Sequence, residues 1–331
     1  MPVFSFPWGT PGGDEPDQRI LDGLWVSMKS KTIVECVPNF SEGTDVEKVR
    51  DIVAAMRVEG VSLLDWSLDG AHNRSVVTIA GVPSGVVEAA VRGAGKAAEL
   101  IDLTKQKGVH PRIGAADVIP FVPVSGVTLA ECAVQARHAG MQIWQRFGVP
   151  VYFYGAAAAR PDRVQLEDVR RGQFEGLQEA VLKDVGRRPD AGGPELHSTA
   201  GASVVGARNF LIAYNIYLDS GDITLARAVA RDLRASNGGM YGVKAMGVLV
   251  GGRAQVSMNI TDHKASPVSR VHEAVCRLAE KHGARTAEGE LIGLIPQDAY
   301  EPEADWIRQI LDFDAATKVL ERKLEAPMDW P

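Results

Sequence analysis

One histidine in this chain is set in an unusual frame: Lys105-Gln106-Lys107-Gly108-Val109-His110-Pro111-Arg112-Ile113-Gly114. Imidazole is the usual general acid or base at neutral pH. Three cations, Lys105, Lys107 and Arg112, stand within the same eight residues. Positive neighbours disfavour imidazolium, so they keep a histidine neutral and able to take a proton. The same cations suit an anionic substrate. Gly108 and Gly114 flank the histidine, and Pro111 stiffens the chain beside it. A loop histidine that only bonds backbone fits the same letters, and residue types alone leave both readings open.

Three further stretches are dense in functional groups. Asp65-Trp66-Ser67-Leu68-Asp69-Gly70-Ala71-His72-Asn73-Arg74-Ser75 offers carboxylates, an imidazole, an amide, a guanidinium and hydroxyls between two apolar runs. A polar hairpin tip is the plain alternative. Asn39-Phe40-Ser41-Glu42-Gly43 ends a strand and precedes a helix, whose first N–H groups can receive an anion or simply be capped. Residues 189–202, with Gly192, Gly193 and Gly201, allow a ligand close approach to backbone or form a flexible linker. No HxxxH, HxH or HExxH spacing occurs, so no metal is expected. Neither a Gly-x-Ser-x-Gly elbow nor a phosphate-binding loop is present, and the glycines of 239–252 do not fit a dinucleotide fingerprint.

Composition narrows the class. The chain has 331 residues, enough for two packed units. Its net charge of −6, without a basic block, argues against nucleic acid, which needs a basic face. No apolar run approaches the ~20 residues of a membrane helix. Cys36, Cys132 and Cys276 are far apart and sit among apolar residues, as reduced core cysteines do in a cytoplasmic protein. Residues 1–30 lack a basic start followed by an apolar stretch, so they read as an extension rather than a signal peptide.

The elements that must hold these loops follow from periodicity. Residues 32–38 read as a strand. Thr44, with Glu47 three residues on, reads as the cap of a helix through Met56. Strands are expected over 61–66 and 74–80, a helix from Pro83 to about Thr104, a strand over 117–124, a helix over 128–147 and a strand over 149–155. The second half gives a strand over 208–218, a helix over 223–236, a strand pair turning at Gly251-Gly252, a helix over 266–282 and a strand over 289–295. Both halves follow the βαββαβ order of a ferredoxin-like unit. The expected fold is therefore α/β (α+β), two ferredoxin-like βαββαβ subdomains with a ligand groove between them. The expected organisation is an extension over 1–30 and subdomains over 31–187 and 188–331, with the boundary near 186–189. A single helix over 305–324 closes the chain.

Taken in order, several of these segments resemble the formiminotransferase family. They are Val34-Glu35-Cys36-Val37-Pro38-Asn39-Phe40-Ser41-Glu42-Gly43, His72-Asn73-Arg74-Ser75-Val76, Leu100-Ile101-Asp102 and Lys107-Gly108-Val109-His110-Pro111-Arg112-Ile113-Gly114-Ala115. Pro150-Val151-Tyr152-Phe153-Tyr154-Gly155, Gly206-Ala207-Arg208-Asn209-Phe210-Leu211-Ile212-Ala213-Tyr214-Asn215 and Gln255-Val256-Ser257-Met258-Asn259 continue the match. The resemblance covers roughly residues 33–299. It implies transfer of a formimino group between N-formimino-L-glutamate and tetrahydrofolate in histidine breakdown, with tetrahydrofolate as co-substrate, no metal, and a homodimer. It also implies the stand-alone form, without the helical cyclodeaminase domain of bifunctional members.

The family's catalytic histidine maps onto His110. Better-known relatives carry an acidic residue at the position of Ser67; here Asp65 and Asp69 are the nearest carboxylates. The family's folate segment maps onto Gly192, Gly193, Pro194, Glu195, Leu196, His197, Ser198, Thr199, Ala200 and Gly201. Asn39, Asn73, Arg74, Lys107 and Arg112 are the expected substrate-binding side chains. Two alternatives share these motifs: formyl transfer between 5-formyltetrahydrofolate and glutamate, and folate binding without turnover.

Overall fold

The computed structural model describes residues 32–70, 72–108, 111–311 and 313–331. The extension over 1–30 and His110 itself lie outside the described residues.

The first unit opens with β1 (Ile33–Cys36), β2 (Asn39–Phe40), α1 (Val46–Ala55), β3 (Val61–Asp69), β4 (Arg74–Gly81), α2 (Pro83–Leu100) and β5 (Ala116–Ser125). β1 and β2 lie on one line between β4 and β5, antiparallel to both, and β3 lies outside β4. The line breaks at Pro38, which has no N–H to give. Its carbonyl still accepts from Val77 N at 3.0 Å, so the pairing resumes at once. The order β3-β4-β1-β5 is that of a ferredoxin-like sheet. α1 is capped by Asp45, whose carboxylate accepts from Lys48 N at 3.2 Å. Thr44, the expected cap, instead gives its hydroxyl proton to Glu42 Oε1 at 2.8 Å.

Beyond β5 the same sheet is extended by α3 (Leu129–Phe147), β6 (Val151–Gly155) and β7 (Ser203–Ala207), in the order β5-β7-β6 with parallel pairing. β7 moves the expected boundary. It is five buried residues between two parallel neighbours. A strand covered on both faces has no polar–apolar alternation to mark it. The chain therefore changes sheet at 208–211 rather than near 186–189.

α1, α2 and α3 cover one face of this sheet, and their apolar sides join β1, β4 and β5 in the main core around Phe40, Ile79, Ile119 and Phe121. On the other face, α4 (Leu166–Val169) and α5 (Gln173–Lys183) cover the parallel end through Val169, Leu177 and Val181. Cys36 and Cys132 are buried and Cys276 is half-buried. Burial pushes the Cys132 thiol up to about 11.

The second unit is β8 (Ile212–Leu218), α6 (Ile223–Leu233), β9 (Val243–Val250), β10 (Arg253–Ile260), α7 (Val268–Lys281) and β11 (Thr286–Ile292). Its antiparallel order, β11-β8-β10-β9, repeats the ferredoxin-like pattern. β8 alternates cleanly: Ile212, Tyr214, Ile216 and Leu218 are buried with the helices, while Ala213, Asn215 and Tyr217 are half-buried on the other side.

The closing segment is not one helix. It folds as α8 (Asp305–Gln309), α9 (Ala315–Lys318) and α10 (Leu320–Glu325). Asp314 interrupts the run by capping a new turn, accepting from Ala316 N at 2.9 Å. The broken path lets the segment strap the units together. Leu320 and Leu294 pack on Leu64 and Ala80 of the first sheet, and Met328 N donates to Leu63 O at 2.8 Å. Among the described residues no helix is long and apolar enough to cross a membrane.

Candidate active site

Three loops converge where β2 and β3 end and β4 and β5 begin. They are the β2–α1 turn, the β3–β4 hairpin tip and the long connection from α2 to β5. Asn73 joins all three. Its backbone is in the left-handed region (φ +50°), which asparagine tolerates better than most residues. Its Oδ1 accepts from Gly43 N at 2.9 Å and its Nδ2 donates to Lys107 O at 2.7 Å. Its carbonyl accepts from Gln106 Nε2 at 3.0 Å. Such close approach leaves no room for side chains at two positions. A Cβ on Gly43 would stand 2.3 Å from Arg74 N, and one on Gly108 would stand 2.6 Å from His72 O.

The long connection is held from beneath as well. Arg112 is 7% exposed. Its Nε donates to Gln106 Oε1, its Nη2 donates to Gln106 O at 3.0 Å, and its fork pairs with Glu175 of α5 at 3.0 Å. That cation holds the Glu175 carboxyl below its usual range. Arg112 thus ties the loop to α5. Ser41 Oγ donates to Gly114 O at 2.7 Å. The segment expected to bind folate closes the far side. Leu103 N donates to Thr199 O at 2.8 Å, Ala115 N to Ala200 O at 2.9 Å, and Ala202 N to Ile113 O at 2.9 Å. Both ends of the connection that carries residue 110 are therefore fixed, at Gly108 by the hairpin tip and at 113–115 by 200–202.

The expected side chains fall unevenly around this centre. Asn39, Ser41, His72, Asn73, Arg74 and Asp117 line one small cavity, with Phe40 and Arg112. Asp69 accepts from His72 twice, from the backbone N at 3.0 Å and opposite Nδ1 at 2.6 Å, so a carboxylate–imidazole pair sits on the tip. Asp65 lies four residues back along β3, about 13 Å away at ~3.3 Å per residue. Lys107 contributes its carbonyl to Asn73. Lys105 turns to Asp102 at 3.0 Å. In the 192–201 segment, His197 Nδ1 accepts from Ala200 N at 3.0 Å, and Gly192 packs on Trp144.

Two groups in this cluster escaped the sequence reading. Asp117 is 3% exposed at the start of β5; its Oδ1 accepts from Ile113 N at 2.8 Å and its Oδ2 from Arg170 Nη2. Arg170 follows α4, inside the stretch between the expected halves. The available signal was Asp117 itself, since a carboxylate in an apolar strand requires a cation or donors. The half-buried Arg74 is pulled below the usual arginine range, first by burial and then by Arg170, against the opposing pull of Asp117 and Asp69. Glu42 shows the reverse balance. Burial would raise its carboxyl, but backbone bonds from Thr44 and Asp45 at 2.9 and 3.0 Å outweigh burial and hold it low. Among the described residues no three His, Cys, Asp or Glu side chains gather as a metal site.

Residues 33–208 match the model of the formiminotransferase domain, N-terminal subdomain, and residues 213–315 match that of the formiminotransferase domain. The chain belongs to the formiminotransferase family. The two matched regions meet where the chain passes from β7 to β8, as the sheets themselves divide. Among its relatives, the glutamate formimidoyltransferase of Thermoplasma acidophilum is 41% identical over 89% of this chain and 98% of its own length. That of Streptococcus pyogenes is 41% identical over 88% of this chain and 98% of its own length. The formimidoyltransferase-cyclodeaminase of Sus scrofa is 40% identical over 81% of this chain and 51% of its own length. This formiminotransferase family member is an enzyme of the transferase class.

Proposed function

We propose that the chain moves a formimino group between N-formimino-L-glutamate and tetrahydrofolate, with His110 as general acid and base. The observation that carries this reading is similarity running through both units to relatives named for glutamate formimidoyl transfer, over 98% of their length. The built loop cluster supports it. A connection anchored at both ends, beside a hairpin tip carrying Asp69 and His72, suits a reaction that consists of positioning and proton movement.

The chemistry balances without a covalent enzyme intermediate. N5 of tetrahydrofolate attacks the formimino carbon and loses a proton. The tetrahedral intermediate then breaks its bond to the glutamate nitrogen, which takes a proton and leaves as an amine. One imidazole near neutrality can take the first proton and return it in the second step. Of the two expected carboxylates we take Asp69, at the hairpin tip, over Asp65, which lies back along the strand. A role in histidine breakdown, a cytoplasmic setting and a homodimer belong to the same proposal.

The test is transfer from formiminoglutamate to tetrahydrofolate under steady-state conditions. His110→Ala lowers kcat by about 10²–10⁴-fold while the fold survives, the range of positioned acid–base catalysis. A kcat close to that of the unmodified enzyme removes His110 from the mechanism.

A further inference from the structure

We propose that Arg170 is a binding residue of the amino-acid substrate and holds one of its carboxylates. The inference rests on the transfer reaction proposed above. Arg170 reaches Asp117 through Nη2, and Asp117 lines the same cavity as His72, Asn73 and Arg74. Gly108 abuts His72, which lines that cavity. The Arg170 side chain is 13% exposed, and its Nε is buried without a hydrogen-bond acceptor. A buried donor left without an acceptor is unfavourable and calls for an explanation, and an absent ligand is one.

Charge points the same way. Two guanidiniums, Arg74 and Arg170, stand close enough for Arg170 to depress Arg74. Asp117 pairs with Arg170, opposes the depression of Arg74 and already accepts from Ile113 N. A guanidinium fork presents paired N–H groups that match a carboxylate, and the Nε–H of Arg170 has no acceptor. Asp117 fixes the fork in place. Lys244 of β9 donates to Glu167 Oε1 at 2.7 Å and Gln165 Oε1 at 3.2 Å, tying the α4 segment to the second sheet. Arg170 therefore stands at the seam of the two units.

Both substrates carry a glutamate unit. In formiminoglutamate the α-carboxylate is separated from the reacting nitrogen by a single carbon. In tetrahydrofolate the glutamate is separated from N5 by the aminobenzoyl group. A carboxylate held beside the loops that frame residue 110 is thus that of the amino acid.

The experiment varies each substrate in turn for the unmodified enzyme, Arg170→Ala and Arg170→Lys. Arg170→Ala raises KM for formiminoglutamate by about tenfold to a hundredfold, the scale of a lost charge-assisted pair. KM for tetrahydrofolate changes less than twofold, and added guanidinium salt restores part of the loss. Arg170→Lys keeps the charge beside Asp117 but loses the fork, and falls between. An unchanged KM for the amino acid in either folded variant overturns the assignment, as does a rise confined to the folate. Calorimetric titration with L-glutamate is independent of turnover: binding to the unmodified enzyme and a tenfold or greater loss in Arg170→Ala supports the assignment, and equal binding overturns it. Absence of transfer by the unmodified enzyme counts against the proposed reaction instead, and the glutamate titration still decides the role of Arg170.

Discussion

The two units share a topology and differ in what they hang on it. At the β3–β4 turn of the first unit, Asn73 reaches Gly43, Gln106 and Lys107. The equivalent β9–β10 turn is Gly251-Gly252, and a side chain added at either would meet nothing within 4 Å. The helix-to-strand connection that follows is 101–115 in the first unit and only 282–285 in the second. The scaffold is the same, so what sets the units apart is the loops at one end of one sheet. The second unit presents a sheet and a strap, and the first presents reactive groups.

The sharpest way to break this contrast is at Asn73. Asn73→Ala removes the acceptor for Gly43 N and the donor to Lys107 O together. A shift of about 1 Å in a positioned catalytic group costs on the order of 10² in rate. The expected result is a kcat at least a hundredfold lower, with little change in thermal stability. Asn73→Asp keeps the acceptor for Gly43 and loses the donor to Lys107, so it falls between. If Asn73→Ala retains normal kcat, the three loops do not depend on one another and the contrast loses its mechanical basis.

A second test concerns a strand inside the first sheet that feels both the strap and the crossing between the units. Glu35 of β1 is 2% exposed, and its carboxyl is raised to about 7. Burial is the main cause; Glu321 from the strap adds to it, and Arg208 from the crossing at 208–211 opposes it. Glu321 is itself raised by burial, with Asp298 adding to the rise and His263 opposing it. Tyr154, near Arg208, is raised by burial as well. The sign follows from the folded carboxyl binding its proton more tightly than the unfolded one. Its stability contribution is fully present below about pH 4.5 and is lost as pH rises through 7. Glu35→Gln removes the ionisation penalty at pH 8, but its amide finds no better partners there. The expected net gain at pH 8 is about 1–2 kcal/mol, with a flatter profile between pH 5 and 8. Denaturant melts of both proteins at several pH values measure it, and parallel profiles would place the titration elsewhere.

These tests also separate what was legible in the chain from what was not. His72, Asn73 and Arg74 were visible as a dense loop between apolar strands, and the structure brings them into one cavity. The second unit was readable almost element by element, because β8 alternates and its hairpin turns on two glycines. β7 was not, because a strand buried between parallel neighbours has no periodic signal. The partners of Arg112 and Arg170 were hidden for a related reason. A charged residue in a glycine-flanked loop looks available, and one in a polar stretch looks like solvent-facing surface. Only the packing of Gln106 and Glu175 against the first, and of Asp117 against the second, tells them apart.

The smallest expected effect belongs to the quiet hairpin. Gly251 and Gly252 have φ of +56° and +80°. A side chain in that region costs about 1 kcal/mol relative to glycine, whatever space surrounds it. Gly251→Ala therefore lowers stability by about 1 kcal/mol, read as a drop of a few degrees in Tm, and leaves kcat and both KM values unchanged. Gly43→Ala makes a substitution of the same size into a space bounded by Arg74 N at 2.3 Å and Asp69 O at 2.4 Å. Its backbone must move, and the hairpin tip moves with it. The pair isolates position from residue type, because alanine replaces glycine in both. If Gly251→Ala also depresses kcat, the second unit's turn communicates with the reacting loops, and the division of labour between the two sheets fails.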